Sequence, residues 1–195
     1  VGFGPCGMFA AIILAEAGRR PIVIERGQPV EERVRTVERF WREGILDEES
    51  NVQFGEGGAG TFSDGKLTTG IKDVRISKVL GEFVKAGASP EILYRQKPHI
   101  GTDKLRSVVK NIRKKIESLG GEILFDTKME AIVAEECADG RKLKGVETVA
   151  RSGERRRMDT ESLVLAIGHS ARDTCHMLLA EGISMAQKHF SIGVR

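Results

Sequence analysis

The 195-residue sequence is poor in cysteine, in aromatic residues and in net charge. Its three cysteines, Cys6, Cys137 and Cys175, stand far apart, with no C-x-x-C or other metal-ligand spacing. A disulfide framework and a zinc site are therefore not expected, no metal ligands are assigned, and a reducing cytoplasm is the simplest setting. No apolar run approaches the roughly 20 residues that a membrane span needs. The 31 basic and 28 acidic residues leave a formal net charge of +3, too balanced for an electrostatic nucleic-acid binder. The basic run Lys110, Arg113, Lys114 and Lys115 reads as the wet face of a helix. With 40% hydrophobic and 30% charged residues, the chain has the composition of a globular protein, one domain or one domain and part of another.

Glycine is what the sequence has in excess, 23 in all, and the glycines cluster. Gly2, Gly4 and Gly7 precede an apolar helix expected over about 5–17, with Met8, Ala11, Ile12 and Ala15 on one face and Gly18 as its stop. The run Pro21–Glu25 then reads as a short buried strand tipped by an acid. This is G-x-G-x-x-G in the context that gives it meaning, with Glu25 placed 18 residues after Gly7, near the expected spacing of about 20. Gly2 makes the tight turn, Gly4 lets a diphosphate approach the backbone, and Gly7 allows close helix–sheet packing. Pro5 suits the first helical turn, whose free N–H groups and partial positive charge favour phosphate. Glu25 would accept hydrogen bonds from ribose hydroxyls. Arg26 raises the alternative of an NADP phosphate, which Glu25 would repel. Only Val1 stands ahead of the glycines, so the chain reads as a fragment cut inside its first strand.

A simple NAD-binding unit would reach its third strand soon after Glu25. Here a helix is expected over 29–43, with Val30, Val34, Val37 and Trp41 at helical spacing. A glycine-rich loop follows over 51–70, and long loops of this kind in compact domains are usually functional or disordered. Its Gly57, Gly58, Ala59, Gly60 and Thr61 could present consecutive N–H groups to an anion. Further helices are expected over 73–85 and from Thr102 or Asp103, as the cap, to Gly120. The delayed third strand is 122–127. A β-meander over about 128–161 turns at Asp139-Gly140 and Ser152-Gly153. The apolar run 162–167 reads as a strand with Gly168 at its carboxyl end, before a helix over about 171–180.

Taken together, Gly2, Gly4 and Gly7, "IERG" (24–27), "GEGGAGTFSDGKL" (55–67) and "LAIGHSARDT" (165–174) resemble bacterial FAD-dependent dehydrogenases of the broad glutathione-reductase-like flavoprotein superfamily. The resemblance runs along nearly the whole chain. It implies an α/β, Rossmann-like FAD/NAD(P)-binding domain over 1–195. That domain has a parallel sheet, a helical and glycine-rich insertion about 29–101 and an inserted antiparallel β-meander, and is truncated at both ends. It implies FAD as cofactor, with NAD(P)H as candidate electron donor. Gly57 to Thr61 would lie against the cofactor, Met129 would touch adenine through its backbone, and Gly168 matches the late glycine of the family. Cys6 occupies a place where alanine is common and receives no redox role. The family's members are longer and complete the flavin site with a C-terminal stretch.

The expected function is thus an FAD-dependent oxidoreductase acting on a small molecule not named by the sequence. The alternatives are an NAD(P)-binding dehydrogenase without flavin and a non-catalytic flavin-binding or RNA-modification partner module. In a flavoenzyme the cofactor carries the redox chemistry, so no catalytic triad is required and none is visible. His99 and His169 are the weak catalytic candidates, and Asp64 and Lys66 candidates for orienting flavin or substrate. Arg172 and Asp173 are assigned to the start of the last helix.

Overall fold

The first helix, α1, spans Pro5–Glu16, and its start needs no tertiary help. Pro5 sets the first helical φ and gives up an N–H that the ladder does not use. The helix closes at Ala17, where Gly18 adopts φ +71. The computed structural model of the chain describes residues 1–63, 65–67, 69–95, 98–138 and 140–189. Among these, β1 (Ile22–Ile24) is followed by α2 (Val30–Glu43), α3 (Arg75–Lys85) and α4 (Thr102–Ser118). Then come β2 (Glu122–Leu124), β3 (Thr127–Cys137), β4 (Gly140–Ala150), β5 (Arg155–Asp159) and α5 (Arg172–Ala180). Two short 3-10 turns, Gly58–Phe62 and Pro90–Leu93, interrupt the long connections.

β1 and β2 pair in parallel with Val23 opposite Ile123, and β3, β4 and β5 form the antiparallel meander. The 97 residues between Ile24 and Glu122 carry three α-helices, as a parallel crossover demands. The expected strand over 162–167 is not a formed strand. It runs alongside Val1 through two hydrogen bonds, Val1 N to Val164 O at 2.7 Å and Ala166 N to Val1 O at 2.8 Å. Gly2 N in turn donates to Ile24 O at 2.8 Å. Residues 1–2 therefore lie between β1 and 164–166, too short a contact to define a strand.

α4 carries the core. Its Leu105, Val108, Val109, Ile112 and Ile116 are buried at helical spacing against Phe3, Met8, Ile12, Val23 and Phe83. Each such side chain contributes about 1.5–3 kcal/mol by leaving water. Glu82, 1% exposed, accepts ion pairs from Lys78, Lys85 and Lys115, and Glu16 joins through Lys78 and Lys115, tying α1, α3 and α4 together. The basic run of α4 is thus more than a solvated face: Lys110 and Arg113 pair with Glu31 of α2, and Lys115 with Glu82.

Two local expectations fail. Trp41 does not join the buried face of α2: it is 58% exposed, and Arg33 is buried beside Val30 and Val37 instead. Neither Thr102 nor Asp103 caps α4: Gly101 precedes it with φ +80, and Thr102 donates its hydroxyl to Ser63 O at 2.9 Å. Asp64 and Asp139 lie outside the described residues.

Candidate dinucleotide cleft

At the carboxyl ends of β1 and of the 162–166 run, three turns surround a cleft of about 420 Å³. Gly2, Gly4, Pro5 and Cys6 form one wall, Gln53, Phe54, Gly55, Gly58 and Ala59 a second, and Leu165 to Ser170 the third. Gly4 and Gly58, far apart in sequence, meet here: a Cβ on Gly58 would lie 3.1 Å from the Gly4 Cα. Gly2 takes φ +94, and a Cβ there would overlap Ala166 O, so the turn is open to glycine alone. A Cβ on Gly7 would overlap Gly2 O, which is the close packing its position in the motif predicts.

The cleft has no Lys or Arg among its lining residues. Its positive potential comes from backbone. α1 begins at Gly4 with no side-chain cap and no acid in its first turn. Its first helical bond is Met8 N to Gly4 O at 2.9 Å, so the N–H groups of Cys6 and Gly7 are spare donors at the helix's positive end. That is the arrangement that binds phosphate at helix N-termini. Across the mouth, Ser170 Oγ donates to Gln53 Oε1 at 3.0 Å, joining the second wall to the third.

Glu25 lies at the floor, 5% exposed, and it is a builder of the cleft. Its Oε1 accepts from Gly27 N at 2.9 Å and Gly55 N at 3.0 Å, and its Oε2 from Phe3 N at 2.7 Å. One carboxylate thereby fixes the first glycine turn, the chain after β1 and the second glycine loop. A carboxylate offers about four acceptor sites. Three are used, so Oε2 retains one.

Behind the second loop sits a residue pair that the sequence pattern did not single out. Arg33, wholly buried, donates from Nε to Asn51 O at 2.9 Å, from Nη1 to Glu56 O at 2.6 Å and from Nη2 to Val52 O at 3.1 Å. Burial lowers its pKa to about 10 against the opposing charges of Glu25 and Glu56. Glu56, also wholly buried, accepts Val30 N at 2.7 Å and so caps α2, while its Oε1 lies 3.2 Å from Arg113 Nε without hydrogen-bond alignment. Burial raises the Glu56 pKa to about 7, only partly offset by the Val30 N–H and Arg113. An arginine spaced three residues after a buried valine was the available signal, but helical arginines are usually solvated.

The remaining candidates divide. Arg26 is committed elsewhere: it pairs with both oxygens of Asp173 at 2.9 Å, reaches Thr174 Oγ1 at 3.0 Å and stacks over Phe54. Asp173 thus anchors the start of α5, and Arg26 is not free for a nucleotide phosphate. Arg26, Phe54 and the buried Met129 line a smaller recess of about 30 Å³ that shares Gly2, Glu25 and Ile167 with the main cleft. Gly57, Gly60 and Thr61 do not line the cleft; Thr61 instead donates to Glu56 O at 3.1 Å, closing the 3-10 turn. Gly168 and His169 line the cleft, whereas His99 does not: it bridges Lys66 in a short antiparallel pairing. Among the described residues no group of three potential metal ligands is gathered, and no helix is long and apolar enough to cross a membrane.

No family model matches the chain. An uncharacterized protein of Clostridium beijerinckii is 56% identical over all 195 residues, which make up 35% of that protein. The chain therefore spans about a third of its relative's length. Among solved structures, THI4 of Thermovibrio ammonificans is similar with a TM-score of 0.60 at 17% identity, covering 94% of this chain and 61% of that one. The two share a fold. The flavin-dependent monooxygenase PieE, solved with FAD and substrate, reaches a TM-score of 0.45 at 16% identity, covering 93% of this chain and 31% of its own, too distant to carry an argument.

Proposed function

We propose that this chain is the dinucleotide-binding part of an FAD-dependent oxidoreductase. The observation that carries the reading is the meeting of Gly4 and Gly58 beside the uncapped start of α1, with Glu25 beneath them. A diphosphate needs N–H donors, a concave surface without Cβ atoms, and no competing acid at the helix terminus; the cleft meets all three.

The N–H groups of Cys6 and Gly7 would hold the diphosphate. The free acceptor direction of Glu25 Oε2 would take one ribose hydroxyl, and the recess beside Met129 would receive the edge of the base. When bound, FAD supplies the hydride or electron transfer. The protein's own tasks are to hold it and to exclude water along the Leu165–Ser170 wall. His169 stands on that wall and is the side chain best placed to meet a ligand there. Arg26 is held by Asp173, Lys128 beside the recess pairs with Glu49, and Glu25 occupies the sugar position, an arrangement that disfavours an NADP-type phosphate. NAD(P)H remains the proposed electron donor to the whole protein, and the substrate a small molecule.

The test is an absorption spectrum of the full-length protein, with flavin release on denaturation and anaerobic titration with NADH and NADPH. Yellow protein releasing one equivalent of FAD is expected. Colourless protein that binds NAD(P)H but no FAD overturns the flavin reading.

A further inference from the structure

The cleft is fitted for an anion, yet its lining contains an acid, Glu25, and no Lys or Arg. Glu25 is buried, so its charge acts through a medium of low effective dielectric and repels a diphosphate more than it would in water. The amino end of α1 supplies only about half a positive charge, less than one carboxylate cancels. Arg26, next in sequence to Glu25, is spent on Asp173 and Glu49.

The balancing charge lies behind the second wall. Gly55 separates two side chains: its N–H donates to Glu25 Oε1 at 3.0 Å, and the side chain of Arg33 packs directly beneath its α-carbon. The carboxylate and the arginine thus occupy two sides of a single glycine that itself lines the cleft. Arg33 makes no direct ion pair among the described residues; Nε, Nη1 and Nη2 donate to the carbonyls of Asn51, Glu56 and Val52. The acids that bear on its charge are Glu25 and Glu56. Glu56 has a second cation, Arg113, whose Nε lies 3.2 Å away. Glu25 spends its oxygens on three backbone N–H groups. Arg33 stays charged at neutral pH, because burial lowers its pKa only to about 10. Three carbonyls can be satisfied by neutral donors. Burying a full charge behind them costs more than their hydrogen bonds require, unless an opposite charge shares the same interior.

We propose that Arg33 is the counter-charge of the cleft: acting across Gly55, it offsets Glu25 so that a diphosphate can enter a site with an acidic floor. The inference rests on the dinucleotide reading of the cleft, though not on which dinucleotide enters. Arg33 touches no ligand. It acts by its field and by the position it gives Gly55, and because it is wholly buried, salt screens it little.

The test titrates ADP and adenosine by calorimetry into the full-length protein freed of flavin. The ratio of the two affinities is the readout, since it isolates the diphosphate. Arg33→Met is expected to lower that ratio about tenfold or more. Adding Glu25→Gln to Arg33→Met is expected to bring it back within about threefold of wild type, because both opposing charges are then gone. A loop merely misshapen by the loss of Arg33 would not recover when Glu25 also changes. An unchanged ratio in Arg33→Met, or a double variant as low as the single, therefore overturns the proposal. If Arg33→Met does not fold, Glu25→Gln alone decides: with Arg33 unopposed the ratio should rise about tenfold, and an unchanged ratio overturns the proposal. Wild-type protein that binds ADP no better than adenosine overturns it too. The expected ratios in a protein that takes up no FAD support Arg33 as counter-charge and overturn the flavin reading alone.

Discussion

Arg33 runs beneath Gly55 so closely that a Cβ built on the glycine would lie 2.7 Å from the arginine Nε. Gly55 also holds φ +117, a region hostile to L side chains. The second glycine loop is therefore shaped from behind by a buried cation, before any ligand enters. Gly55→Ala is expected to cost about 2–4 kcal/mol, from backbone strain and from displacement of Arg33. Urea denaturation measures it; a loss under about 0.5 kcal/mol would show that the loop adapts freely.

Gly2 and Gly4 separate folding from binding. Gly2→Ala is expected to destabilise by at least about 2 kcal/mol, because φ is +94 and the new Cβ would overlap Ala166 O. Gly4 has an ordinary extended backbone (φ −75, ψ −176), and its added Cβ would sit 3.8 Å from the Gly58 Cα. Gly4→Ala should leave stability within about 0.5 kcal/mol. In the intact protein it should weaken FAD binding tenfold or more, measured by flavin fluorescence titration. Unchanged FAD affinity in a folded Gly4→Ala protein would remove Gly4 from the cofactor surface.

Glu25→Ala strands three N–H groups, those of Phe3, Gly27 and Gly55. A loss of about 3 kcal/mol or more is expected, since each unpaired buried donor costs about 1–3 kcal/mol. Glu25→Gln keeps one acceptor oxygen and should fall between wild type and Ala. Thermal melts of the three proteins decide: if Gln matches Ala, the charge rather than the acceptor geometry is what the loops require.

Glu56 predicts a pH dependence with a definite sign. Its folded pKa, about 7, lies above the ordinary 4.5. Below pH 4.5 both folded and unfolded chains hold the proton, and the group contributes no slope. From 4.5 to about 7 the folded chain holds it more tightly, so stability falls as pH rises, by on the order of 3 kcal/mol in total, and levels off above. Glu56→Gln should flatten this window in urea melts taken at successive pH values. An unchanged slope would place the titrating group elsewhere.

Glu82 acts in the opposite direction. Although burial opposes its ionisation, hydrogen bonds from Lys115, Lys85 and Lys78 outweigh it and hold the pKa at about 2. Its stabilisation is present above 4.5 and is lost as pH falls toward 2. Glu82→Gln should cost about 1–3 kcal/mol at neutral pH and progressively less as the pH falls from 4.5 toward 2, as read by calorimetry.

Much of this protein is written locally. α1 follows from Pro5 and Gly18, α4 from apolar residues at helical spacing, and the β4–β5 turn from Ser152-Gly153, with Gly153 at φ +87. The turn at Gly2 and the packing of Gly7 on Gly2 O were legible because they concern backbone within a few residues, whereas the crowding of Gly2 by Ala166 was not. The inward hold of Glu25 on Gly55, the burial of Arg33 under the loop and the exposure of Trp41 were not. Each depends on what another segment, tens of residues away, places against that side chain. The sequence by itself determined which turns lack side chains and where the helices begin. Only the tertiary structure decided which turns face one another, because a hydrogen bond across 30 residues is chosen by packing, and local propensity has no knowledge of its partner.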